Sequence, residues 1–80
     1  MQPDEIKKLI ASNLPDSVVT VTGDGRHFEA IVISESFSGK SPLARQRAVY
    51  QTLGDNINNG NIHALTIKAR TPDEWKKENN

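Results

Sequence analysis

Apolar positions along the chain change their spacing several times, and each change marks an element. Over residues 3–14, Ile6, Leu9, Ile10 and Leu14 recur at helical spacing on one face. Pro3 suits a first helical turn, Asp4 and Glu5 complement the positive end of the dipole, and Pro15-Asp16 closes the segment. The spacing then becomes two. In "VVTVT", residues 18–22, Val19 and Val21 alternate with threonines, as in a half-buried strand. "GDG" at 23–25 supplies a turn. "HFEAIVISES" returns as a second strand, with Phe28, Ala30 and Val32 on one face and Ile31 and Ile33 on the other. These two strands predict a β-hairpin.

Helical spacing reappears after a turn at Phe37-Ser38-Gly39. Ser41-Pro42 is a helix start, the hydroxyl capping and the proline at the first helical position. Val49, Leu53 and Ile57 lie one turn apart with Tyr50 beside them, and Asn58-Asn59-Gly60 is the expected end. Residues 40–59 read as one helix, or as a short one and a longer one. Residues 61–69 predict a third strand, with Leu65 and Ile67 deepest. Thr71-Pro72-Asp73-Glu74 is a capping box with proline inside it, opening a last helix that Trp75 anchors. A hairpin joined to a third strand by a helical crossover gives a three-stranded mixed sheet. Helices on one face make it a two-layer α+β domain.

With 80 residues and 35% hydrophobic content, the chain supports one small domain with a modest core. The absence of cysteine removes disulfides and thiolate metal sites of its own. No secretory leader pattern and no membrane-length apolar run occurs, so the expectation is a cytoplasmic protein without a membrane partner. The formal net charge is +0, but its distribution is uneven. Residues 1–36 carry three bases and six acids, whereas residues 37–70 carry five bases and one acid. The middle of the chain therefore brings local positive charge, through Lys40, Arg45, Arg47 and Lys68 among others.

Few residues carry chemistry. No serine stands in a nucleophile-elbow context, and "GKS" at 39–41 lacks the upstream glycine of a phosphate loop, so no enzyme is expected. His63 shares the parity of Leu65 and Ile67, which tilts it toward the helix-covered face at the strand's entry. Two readings follow: a partly buried ring bonded to a backbone carbonyl, or a ligand at an open rim for zinc, copper or iron. His27, beside the turn, reads as an exposed residue. Two histidines alone make a poor metal site, so any further ligands come from elsewhere. "SGKS" with Arg45 and Arg47 is suited to a phosphate backbone at a helix N-terminus, although aromatics for base stacking are scarce.

Taken together, "GDGRHFEAIVIS", "FSGKSPLARQRAVYQTL" and "IHALTIKARTPDEW" resemble the BolA family, over about residues 4–77 of a single domain spanning 1–80. That family carries F-x-G-x-S at a basic helix start, V-Y near its middle, then I-H-A-L and T-P-x-x-W. The short "GDG" loop and Gln46, where many members have histidine after the arginine, look more like its IbaG branch. The resemblance implies an αββααβα domain with a class II KH-like core. It implies partnership with a monothiol glutaredoxin, whose cysteine and bound glutathione hold a [2Fe–2S] cluster that the BolA-type protein completes with histidine. The family's ligand histidine falls on His63. Its second ligand, a histidine or cysteine, lies between the first two strands, where this chain offers only His27. Arg45, Arg47 and Lys68 are read from charge as a partner-facing surface, and Lys40 joins Arg45 as a nucleic-acid contact. The rival reading is a KH-like nucleic-acid-binding regulator of transcription or stress. RNA-binding KH domains use a G-x-x-G loop, and here Gly39-Lys40-Ser41-Pro42 lacks the second glycine.

Overall fold

A computed structural model describes all 80 residues, Met1–Asn80. The elements are α1 (Pro3–Asn13), β1 (Val18–Gly23), β2 (His27–Ile33), α2 (Pro42–Thr52), β3 (Ala64–Arg70) and α3 (Pro72–Glu78). Two short 3₁₀ turns, Glu35–Phe37 and Gly54–Asn56, flank α2. The helical middle is thus one α-helix between two tight turns. α2 stops at Thr52, short of the expected end near Asn59, because Gly54 takes φ +57° two residues later and turns the chain. Phe37, expected in a turn, closes the first 3₁₀ turn and is fully buried.

Local chemistry explains the helix starts. The Ser41 hydroxyl accepts from the Ala44 amide at 3.2 Å, with Pro42 at the first position. Thr71 and Glu74 form a reciprocal capping box: Thr71 Oγ1 accepts from the Glu74 amide at 3.2 Å, and Glu74 Oε1 from the Thr71 amide at 2.9 Å. Before α1 the Glu5 carboxylate accepts from the Gln2 amide at 3.0 Å, and the Glu5 amide donates to the Gln2 carbonyl, a cap the hydrophobic pattern did not show.

The sheet order is β1-β2-β3, with β1 antiparallel and β3 parallel to β2. Register settles the faces. Val19, Val21, Phe28, Ala30, Val32, Leu65, Ile67 and Ala69 share one side, and the buried cluster joins that side to Ile6 and Ile10 of α1, Val49 of α2, Leu53 and Phe37. The alternation read in the first two strands is therefore borne out. In β3 the depth is reversed from expectation: Ala69 and the preceding Ile62 are buried, whereas Leu65 and Ile67 are only half-buried. The strand also begins at Ala64, leaving 61–63 outside it. On the other face Val18 is 62% exposed and Ile31 and Ile33 are half-buried. At the hairpin end, Gly23 faces Phe28, and a Cβ there would lie 2.5 Å from both the His27 carbonyl oxygen and Phe28 Cδ1. The aromatic side chain closes over the glycine, so no larger residue fits.

Candidate functional site

The hairpin end of the sheet holds both histidines. His27 opens β2 and pairs in register with Ala64, the first residue of β3. The Ala64 amide donates to the Arg26 carbonyl at 3.1 Å, which brings the entry of β3 against the hairpin turn. His63 immediately precedes this ladder and is exposed. Parity would have tilted it toward the helices, but parity governs only residues inside a ladder, and His63 is outside it. No hydrogen bond or ion pair ties its ring to the rest of the chain. Of the two readings open from sequence, the carbonyl-bonded buried ring does not describe the structure.

His27 is also exposed, as read from sequence. Its Nδ1 lies 3.8 Å from Asp24 Oδ2, too long for a hydrogen bond. Asp24 itself clamps the turn: its Oδ1 accepts from the His27 and Arg26 amides, both at 2.9 Å. Those amides, His27 first, hold the Asp24 carboxyl below the usual carboxylate range. Asp24 was not singled out from sequence, although an aspartate between two glycines is a signal for such a side-chain-to-backbone turn. No group of three or more His, Cys, Asp or Glu side chains is placed to hold a metal ion. The end of the sheet brings together the two imidazoles and the Asp24 carboxylate without assembling a metal-holding cluster.

The four basic residues do not form one patch. Lys40 and Arg47 are exposed, in the loop before α2 and on α2. Lys68 is exposed on the sheet face opposite the one that carries the core. Arg45 is turned inward, its side chain only 12% exposed. Its guanidinium grips Glu74 with two bonds, of 2.6 and 3.1 Å. It also donates to the Lys40 carbonyl at 3.0 Å and the Ala69 carbonyl at 3.2 Å, and sits 5.9 Å from the centroid of the Phe37 ring. Arg45 thus ties the loop before α2, the end of β3 and the start of α3 together, and four of its five N–H donors are engaged within the domain. Sequence reading missed this because the partners lie 24 and 29 residues away.

Glu74 answers to the same contact. The Arg45 guanidinium, followed by the Thr71 amide, lowers its carboxyl to about 2. A depressed carboxyl stabilises the fold while it is ionised, so its contribution is complete above the unfolded value, 4.5, and fades as pH falls toward about 2. Acid titration followed by circular dichroism is expected to show stability falling across that window. Glu74→Gln removes this part of the slope and lowers stability at neutral pH; an unchanged acid limb in the variant would contradict the assignment.

The family model for BolA-like proteins matches residues 7–74. The chain belongs to the BolA family. It is 40% identical over 78 residues to the acid stress protein IbaG of Escherichia coli K12, covering 98% of this chain and 93% of that one. It is likewise 40% identical over 78 residues to the DNA-binding transcriptional regulator BolA of Vibrio cholerae, covering 98% of this chain and 70% of that protein. The solved structure of a BolA homologue from Coxiella burnetii superposes with a TM-score of 0.85 at 42% identity, over 95% of this chain and 97% of that one. Membership makes this a BolA-type regulator or adaptor on an α+β scaffold. No helix is long and apolar enough to cross a membrane.

Proposed function

We propose that this BolA-family protein is a non-enzymatic cytoplasmic adaptor that binds a monothiol glutaredoxin and completes its [2Fe–2S] cluster through His63. One observation carries the reading: an exposed imidazole, free of partners within the chain, stands just before β3 and beside the hairpin turn. The donor set agrees. A chain without cysteine cannot supply the thiolates such clusters usually take, so a shared centre is the consistent form. The glutaredoxin cysteine and its glutathione would provide sulfur, and this chain an imidazole, with His27 as the nearby second candidate. Histidine in place of thiolate on one iron raises the reduction potential, which suits delivery or sensing of iron–sulfur clusters.

The test is to add the full chain to cluster-loaded monothiol glutaredoxin, following complex formation and visible absorption. A stoichiometric complex with a changed spectrum is expected, and an unchanged spectrum would overturn the reading. The V. cholerae relative, a DNA-binding regulator by name, favours a second reading, in which Lys40 before α2 and Arg47 midway along it contact phosphate. Duplex DNA in place of glutaredoxin forms the other arm of the same experiment, with salt-dependent affinity as its signature.

A further inference from the structure

The two edges of the sheet are treated differently. Along β3, the bond from the Ala64 amide to Arg26 sets the phase, so Ala64, Thr66 and Lys68 face β2 with their backbone groups, and Leu65, Ile67 and Ala69 face outward. That outer edge is partly occupied, at two of its carbonyls. Arg45 donates to the Ala69 carbonyl, and the Tyr50 hydroxyl lies 3.5 Å from the Leu65 carbonyl. The Arg45–Glu74 pair brings the start of α3 alongside.

Along β1 there is no such contact. The Asp24 amide donates to the His27 carbonyl, which makes that pair a hydrogen-bonded one. Counting back in twos, Thr22, Thr20 and Val18 bond to β2, and the N–H and C=O groups of Val19, Val21 and Gly23 point away from the sheet. No side chain or loop bonds to those outward groups. The devices that protect edge strands are missing as well: Val18–Gly23 contains no charge, no proline and no bulge.

We propose that the β1 edge pairs antiparallel with β1 of a second copy of this chain, giving a two-fold dimer with a continuous six-stranded sheet. The strand is complementary to itself. Centred on Val21, the pairing sets Val21 against its own copy and Val19 against Gly23, so every outward group finds a partner, about six hydrogen bonds in all. Thr20 then faces Thr22 of the other copy, a pair of small β-branched side chains without like charges. β1 and β3 are opposite edges, so both His63 positions remain open and the dimer would present two of them.

Sedimentation equilibrium of the full chain over a concentration series tests this, together with Thr20→Lys/Thr22→Lys. Both threonines are exposed, so the variant is expected to keep the wild-type circular dichroism, while lysines facing lysines weaken the dimer by about tenfold or more. Amide exchange at Val19, Val21 and Gly23 should slow as wild-type concentration rises. A chain that stays monomeric up to about 1 mM, or a dimer that the lysines leave unchanged, overturns the proposal. Edge amides that slow only when glutaredoxin is added assign the edge to that partner and overturn self-pairing equally.

Discussion

His63→Ala is expected to leave the circular dichroism and thermal midpoint of the protein unchanged and to abolish the spectral change that wild type produces in cluster-loaded glutaredoxin. The ring is exposed, lies outside the β ladder and bonds to nothing else in the chain, so its loss opens no cavity and strands no buried partner. The effect should fall on the cluster alone. His27→Ala supplies the comparison. His27 is also exposed, and the Asp24 clamp uses its backbone amide, so truncation leaves the turn in place. If His63 is the ligand, the His63 variant loses the new absorption whether or not His27 contributes. A wild-type spectrum retained by His63→Ala and lost by His27→Ala would transfer the role to His27. Retention by both would remove imidazole ligation altogether.

Phe37→Ala is expected to cost about 3–5 kcal/mol, the range for emptying a buried aromatic site. Phe37 is fully buried and is the largest of the fully buried side chains. It stands at the close of the 3₁₀ turn leading from β2 toward α2, beneath the Arg45 guanidinium. A domain of this length has a total stability of about 4–12 kcal/mol. The variant should therefore melt at least about 12 °C lower, or be partly unfolded at room temperature. Thermal denaturation by circular dichroism measures this directly. A shift below about 4 °C would show that the neighbourhood collapses onto the space and that Phe37 is not central to the core.

The hairpin was legible in "VVTVTGDGRHFEAIVI" because alternation reports a sheet with one buried face, and the observed burial of Phe28, Ala30 and Val32 repeats it. Ser41-Pro42 and Thr71-Pro72-Asp73-Glu74 were legible because capping chemistry is local. The end of α2 was not. Leu53 and Ile57 continue a helical spacing through Gly54, and a 3₁₀ turn keeps them near the same core while the α-helix has already stopped. The inward turn of Arg45 was hidden for a different reason. Its stretch of sequence reads as a basic helix start, whereas its partners arrive only after the crossover and β3 bring residues 69 and 74 alongside. His63 stands between these cases. Its residue type suggested a ligand and its parity suggested burial. The late start of β3 at Ala64, which spacing in a short apolar run does not fix, left the ring outside.

The hairpin ladder ends at Gly23 and Phe28, and the four residues beyond it, Asp24, Gly25, Arg26 and His27, form the tip. The tip is tied on two sides: Asp24 clamps it through the Arg26 and His27 amides, and the Arg26 carbonyl accepts from the Ala64 amide, so a longer connection would forfeit the clamp and loosen the entry of β3. Under the proposed shared cluster, a tip carrying a thiol or a second imidazole would set another donor beside the entry of β3.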